Sequence, residues 1–225
     1  MKIRMWSLVA SVLLPMALNV GAAETAESGS ITGSVDAGKA KAGACAACHG
    51  GDGNSATPDF PSLAGQSKRY IVEQLQAMKD GTRPAPLMAS LLPGLSEQDF
   101  HDLGAFYESL KPNYKAADPE LAATAEVLYR QGDKERGIAA CAACHGAQGK
   151  GMPSAGFPSL AGQHAKYTEL QLRAFRAVGR GDDEGPYRKT GGDAQMMQGV
   201  AKYLSDSEIK ALANYIQGMY TPEAE

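Results

Sequence analysis

The chain has no basic surplus. Its 22 Lys and Arg stand against 25 Asp and Glu, a formal net charge of -3 at pH 7. Nucleic-acid binding has no electrostatic footing on such a balance, because phosphate contacts call for clustered cations. After residue 23 no apolar run is long enough to span a bilayer, which excludes a multi-span membrane protein. Period-two alternation is missing over any useful length, so almost no sheet is expected. Aromatic residues are sparse, at 7%. Cysteine is scarcer still, with four residues in 225, all of them in two copies of one pentapeptide. What is there is ordinary for a soluble globular protein, 44% apolar and 21% charged, which excludes a disordered or collagen-like chain.

The N-terminal stretch reads as an address rather than as fold. Lys2 and Arg4 precede a mostly apolar run from Met5 to Val20, followed by the small residues Gly21, Ala22 and Ala23. That is the pattern of a secretory signal peptide, residues 1–23, with cleavage expected after Ala23. The run is shorter than the roughly 20 apolar residues of a spanning helix. The mature protein is therefore expected to be exported and soluble.

The remainder contains its own duplicate. Cys45-Ala46-Ala47-Cys48-His49-Gly50 recurs as Cys141-Ala142-Ala143-Cys144-His145-Gly146. Phe60-Pro61-Ser62-Leu63-Ala64-Gly65-Gln66 recurs as Phe157-Pro158-Ser159-Leu160-Ala161-Gly162-Gln163. Leu95-Ser96-Glu97 is echoed by Leu204-Ser205-Asp206. Three blocks in one order predict two domains of one fold, residues 24–112 and 113–225, with a linker around Lys111 to Pro119. The second copy is longer, and its surplus, Gly179 to Asp193, reads as a polar Gly-rich loop.

Each copy reads as helical. A helix is expected to lead into each pentapeptide, over 37–47 and 125–143. Another is expected to begin near Ser67 and near His164. The last starts at Ser96 or Ser205, each with an acid three residues on, an N-cap pattern. Phe100, Leu103, Phe106 and Leu110 give that helix an apolar stripe in the first copy, and Ile209, Leu212, Ile216 and Met219 in the second.

C-x-x-C-H is the attachment sequence of c-type haem. Two thiols one helical turn apart can add to the two vinyl groups of one porphyrin, and the adjacent histidine then aims its imidazole at the iron. A zinc site or a pair of redox disulfides would also use C-x-x-C. Neither explains a histidine after both pairs. A buried porphyrin would also supply apolar surface that so few aromatics leave short.

The opposite axial ligand has to be found by position. Met88 lies seven residues before Leu95, and Met197 lies seven before the matched Leu204. Met196 is a rival to Met197. Met78 and Met219 read as core and Met152 as loop packing, while His101 and His164 read as surface histidines. A thioether is soft and favours reduced iron, and filling both axial positions points to electron transfer rather than catalysis. Pro61 and Pro158 are candidates to accept a hydrogen bond from the other ring nitrogen of each histidine.

These motifs, with the ending Leu212-Ala213-Asn214-Tyr215-Ile216-Gln217-Gly218, make the chain resemble the two-haem cytochrome c4 family over about residues 36–220. The resemblance implies an all-α protein of two tandem class I cytochrome c domains with two covalently bound haem c groups. It implies Cys45, Cys48, His49 and Met88 at the first haem, and Cys141, Cys144, His145 and Met197 at the second. It implies a periplasmic electron carrier between a quinol-oxidising complex and a terminal oxidase. The alternatives are the haem subunit of a dehydrogenase such as a flavin-dependent sulfide oxidiser, or an oxidoreductase in its own right. Partners are then redox proteins, with no nucleic acid. A monomer is expected, and peripheral association with a membrane stays open.

Overall fold

The computed structural model describes residues 31–182, 185 and 192–219. The expected signal peptide and most of the expected Gly-rich loop lie outside the described residues. Among the described residues the secondary structure is helical, and the only pairing of extended backbone is two isolated bridges, Asp133 with Ile138 and Met152 with Phe157. No helix among these residues is long and apolar enough to cross a membrane.

The first copy opens with α1, Val35–Lys41, whose N-terminus is capped by the Ser34 side chain accepting from the Ala37 N–H. The single helix expected over 37–47 is in fact two. The Ala42 N–H reaches both Gly38 and Lys39 carbonyls, which tightens the last turn, and the axis restarts as α2, Gly43–His49. α3, Lys68–Lys79, begins after Ser67 as the sequence predicts, and the Ser67 side chain caps it. A single turn, α4 at Pro86–Ala89, carries Met88. α5, Glu97–Ser109, starts with a full capping box between Ser96 and Asp99. α1 crosses α5 at Gly38, where a Cβ would lie 2.1 Å from the Asp102 carbonyl oxygen. Only glycine lets the two backbones approach that closely.

The second copy departs where its first helix ends. α6, Pro119–Gln131, stops well short of the pentapeptide, and α7 is only Ala142–His145. Gly132 turns the chain at φ +68°, and a Cβ there would sit 2.3 Å from the Ile138 carbonyl oxygen. Asp133 and Ile138 then exchange both backbone hydrogen bonds at 2.8 Å, closing a small excursion instead of continuing the helix. α8, Ala165–Gly179, begins after His164. α9, Gly192–Ala201, carries Met197 on a much longer helix than its counterpart. α10, Asp206–Gln217, repeats the capping box with Ser205 and Glu208.

Each copy builds its own core. Ile71, Leu75, Met78, Phe100, Leu103 and Phe106 lie in one cluster, while Tyr129, Leu172, Phe175, Ile209, Leu212 and Ile216 lie in the other. Full burial of such a side chain stabilises by roughly 1.5–3 kcal/mol. The apolar stripes of α5 and α10 supply half of these residues, as their spacing predicts, and α3, α6 and α8 supply the others. Met219 is buried as expected but lies beyond the end of α10.

From Ile31 onward the chain forms one compact unit. The copies meet through reciprocal contacts. Gln66 holds the backbone of Ser159, and Gln163 holds the backbone of Ser62. Because 66 matches 163 and 62 matches 159, each surface binds the other's equivalent, the signature of a twofold-like junction. His164 Nε2 donates to the Ser55 carbonyl at 2.9 Å, and Arg83 donates to the Tyr167 hydroxyl at 2.9 Å.

Candidate haem sites

Both pentapeptides fold as helical turns that end at the histidine, so the two cysteines, three residues apart, lie on one face. The helix stops there because Gly50 and Gly146 follow with φ of 81° and 77°. Cys45, Cys48, Cys141 and Cys144 are all half-buried. Desolvation pushes the Cys45 thiol up, and burial pushes Cys141 up to about 11.

The histidines are buried and held. His49 Nδ1 lies 2.8 Å from the Pro61 carbonyl oxygen, and His145 Nδ1 lies 3.0 Å from that of Pro158. A carbonyl can only accept, so each Nδ1 carries the proton. Burial holds both histidines below the ordinary pKa, against the opposing pull of the carbonyl. A neutral ring protonated at Nδ1 has its lone pair on Nε2, the state a metal ligand requires. Phe60 and Phe157 pack edge-on against the two rings, each at 6.3 Å between centroids. The proline acceptor that the sequence suggests is therefore present twice.

Met88 and Cys45 pack against the first core, and Met197 and Cys141 against the second. Met196 is 48% exposed, on the outer side of α9. Met78 is core, and Met152 is exposed in a turn. The reading of His164 as a surface residue is corrected. It is buried because the second copy inserts it into the junction, where its ring serves the Ser55 carbonyl. His101 is half-buried, and its Nδ1 has no hydrogen-bond partner among the described residues.

Two thiols one turn apart, a pre-oriented imidazole and a thioether on the same core are the donor set of a covalently attached haem. A zinc site fits less well, because among the described residues no three His, Cys, Asp or Glu side chains converge as metal ligands. The residues present thus fit the group, and they fit it twice.

This site chemistry on a duplicated helical scaffold defines a two-domain c-type cytochrome. The cytochrome c family model matches residues 35–111 and 132–219. Cytochrome c4 of Pseudomonas aeruginosa is 44% identical over 213 residues, covering 95% of this chain and 98% of that protein. The thiosulfate dehydrogenase electron acceptor of Thiomonas intermedia is 35% identical over 78% of each chain. Reduced recombinant cytochrome c4 from Pseudomonas stutzeri superposes with a TM-score of 0.77 at 43% identity, over 84% of this chain and all of that one. The chain belongs to the two-haem cytochrome c4 family. It is a dihaem electron-transfer protein with two covalently bound haem c groups.

The residues that sequence reasoning missed are Gln66 and Gln163, which join the copies, and Arg83, which bridges to Tyr167. A signal existed for the glutamines. Both close the repeated Phe-Pro-Ser-Leu-Ala-Gly-Gln segment. A polar residue duplicated with such fidelity asks for a partner, and here that partner is the other copy.

Proposed function

We propose that the chain is a periplasmic electron carrier, exported through a signal peptide at residues 1–23, that takes electrons from a quinol-oxidising complex and delivers them to a terminal oxidase. In this reading residues 24–112 and 113–225 are the two haem domains. Cys45 and Cys48 anchor the first haem and Cys141 and Cys144 the second. His49 with Met88, and His145 with Met197, are the axial pairs. Haem supplies a one-electron redox couple when bound. The chain's own residues hold the imidazoles neutral and oriented, wall them off with Phe60 and Phe157, and put a thioether on each core that would serve as the second ligand.

The observation that carries this reading is the duplicated histidine clamp combined with one half-buried methionine on each core. With a histidine and a methionine both bound to it, the iron would have no coordination position left for a substrate, which favours electron transfer over catalysis. The test is an anaerobic redox titration followed by optical spectra. Two low-spin His/Met signals, each with its own midpoint and both unaffected by added iron ligands, are expected. A high-spin haem that binds added ligand would overturn the carrier reading.

A second reading is favoured by one relative, named as the electron acceptor of a thiosulfate dehydrogenase. On that view the donor is a dehydrogenase rather than a quinol-oxidising complex. Reduction of the purified chain by each donor class separates the two.

A further inference from the structure

We infer that each copy's glutamine tunes the haem of the opposite copy, through one peptide group that bridges it to the axial histidine. The inference rests on His49 and His145 being the axial ligands.

The peptide between Pro61 and Ser62 is engaged at both ends. Its carbonyl oxygen, on Pro61, accepts from His49 Nδ1 at 2.8 Å. Its N–H, on Ser62, donates to Gln163 Oε1 at 3.0 Å. The mirror chain runs from His145 Nδ1 to the Pro158 carbonyl at 3.0 Å, and from the Ser159 N–H to Gln66 Oε1 at 3.0 Å. Each glutamine also donates its Nε2 to the carbonyl of the same serine, at 2.9 Å for Gln163 on Ser62 and 3.0 Å for Gln66 on Ser159. Two-point binding leaves no freedom to swap the amide oxygen and nitrogen, because the serine N–H requires an acceptor and the serine carbonyl a donor.

The chemistry follows from amide resonance. Donating the Ser62 N–H to Gln163 polarises the whole peptide and enriches the Pro61 oxygen in charge. A richer acceptor draws the His49 Nδ1 proton more strongly, and the ring becomes a better electron donor at Nε2. Chains of hydrogen bonds reinforce one another in this way by about 10–30% per bond. A more basic ligand stabilises oxidised iron, so the intact chain lowers the potential of the haem it serves. The Gln163 side chain belongs to the second copy yet acts on the first, and Gln66 acts in the other direction. Gln66 and Gln163 are positioning residues for the opposite histidine, in addition to joining the copies.

The test is the full-length holoprotein with Gln163→Leu, and separately Gln66→Leu. The two haems are distinguished by paramagnetic NMR of their methyl groups during a redox titration. Gln163→Leu is expected to raise the reduced-to-oxidised ratio of the first-copy haem about threefold at fixed ambient potential, which is about 28 mV at 59 mV per tenfold. The second-copy haem moves less. Gln66→Leu gives the crossed pattern. In the reduced protein the His49 Nδ1 proton resonance moves upfield in Gln163→Leu and stays in place in Gln66→Leu. Should the leucine variants fail to fold, Gln163→Ala admits water to the Ser62 N–H and gives the same direction with a smaller shift. Potentials that stay put, or that move mainly in the haem of the substituted copy, overturn the inference while the axial assignment stands. A wild-type spectrum without low-spin His/Met character removes the axial assignment and the inference with it.

Discussion

Met88 and Met197 sit in different local structures, yet their side chains meet equivalent cores. Met88 rides a single turn and Met197 a ten-residue helix, and both are half-buried against the cluster that also holds the first cysteine of their own copy. Exposure separates Met197 from its neighbour, because Met196 is nearly half exposed and has no core to lean on. On the proposed axial assignment, replacing Met88 or Met197 by alanine removes a soft ligand that favours reduced iron. The potential of that haem is expected to fall by on the order of 0.1 V or more, within the roughly 0.8 V that axial ligation commands. Loss of the low-spin signal of one haem should accompany it. Met196→Ala is expected to leave both potentials and both spectra in place, and a shift there would move the assignment by one residue.

Short-range chemistry decided how much of the helical architecture was legible. Ser96 and Ser205 are caps whose side chains and following acids declare themselves, and helices start after both, as one does after Ser67. The stripes on α5 and α10 follow from 3.6-residue periodicity, and so do the buried Phe100, Leu103, Ile209 and Leu212. The break after Gln131 was missed although Gly132-Asp133 and Gly137 bracket a charged run that interrupts the apolar pattern, and the Ile138 carbonyl beside Gly132 closes the turn. The burial of His164 was not legible, since it depends on a contact with Ser55 more than a hundred residues away. The hydrogen bonds of His49 and His145 to the Pro61 and Pro158 carbonyls are short-range and were visible. The contacts across the junction are long-range and were not.

The excursion after Gly132 is pinned by Arg136, which pairs with Asp133 and with Glu208 at the start of α10. That ion pair, with the Ser205 backbone and hydroxyl donors, holds the Glu208 carboxyl down at about 2, against an ordinary value of 4.5. A carboxylate depressed in the folded state stabilises fully above its unfolded pKa, and the contribution disappears as pH falls through the folded one. For Glu208 the window runs from about 4.5 down to about 2. Glu208→Gln keeps an acceptor for the Ser205 donors and removes the charge paired with Arg136, so it is expected to cost up to about 1 kcal/mol at pH 7. The gap between variant and wild type should close as the pH approaches 2. Denaturant unfolding at several pH values measures it, and a gap that stays constant from pH 7 to pH 2 would show that the charge plays no part.

At the scale of the molecule, duplication does more than double the cofactor count. The peptides that hold His49 and His145 are the same peptides that bind the opposite glutamines. The junction is thus built from the walls of the two sites rather than from surfaces remote from them. Additional ties lie around it, with Arg83 on Tyr167, His164 on Ser55, and Lys166 against Asp59. Most of these bonds land on backbone carbonyls or amides, which cannot rotate away as side chains do. A junction held this way keeps the sites at a fixed separation, which predicts that exchange between them takes place within one molecule. Electrons delivered to one copy by flash reduction are expected to equilibrate with the other at a rate unchanged on dilution. Loosening the junction with Gln66→Leu and Gln163→Leu together should slow that exchange, even where each haem keeps its low-spin spectrum. The decisive measurement is the spectrum of the second copy after a flash, taken over a dilution series. Equilibration that slows in proportion to protein concentration would mean that electrons pass between molecules, and the two copies would then be independent carriers on one chain.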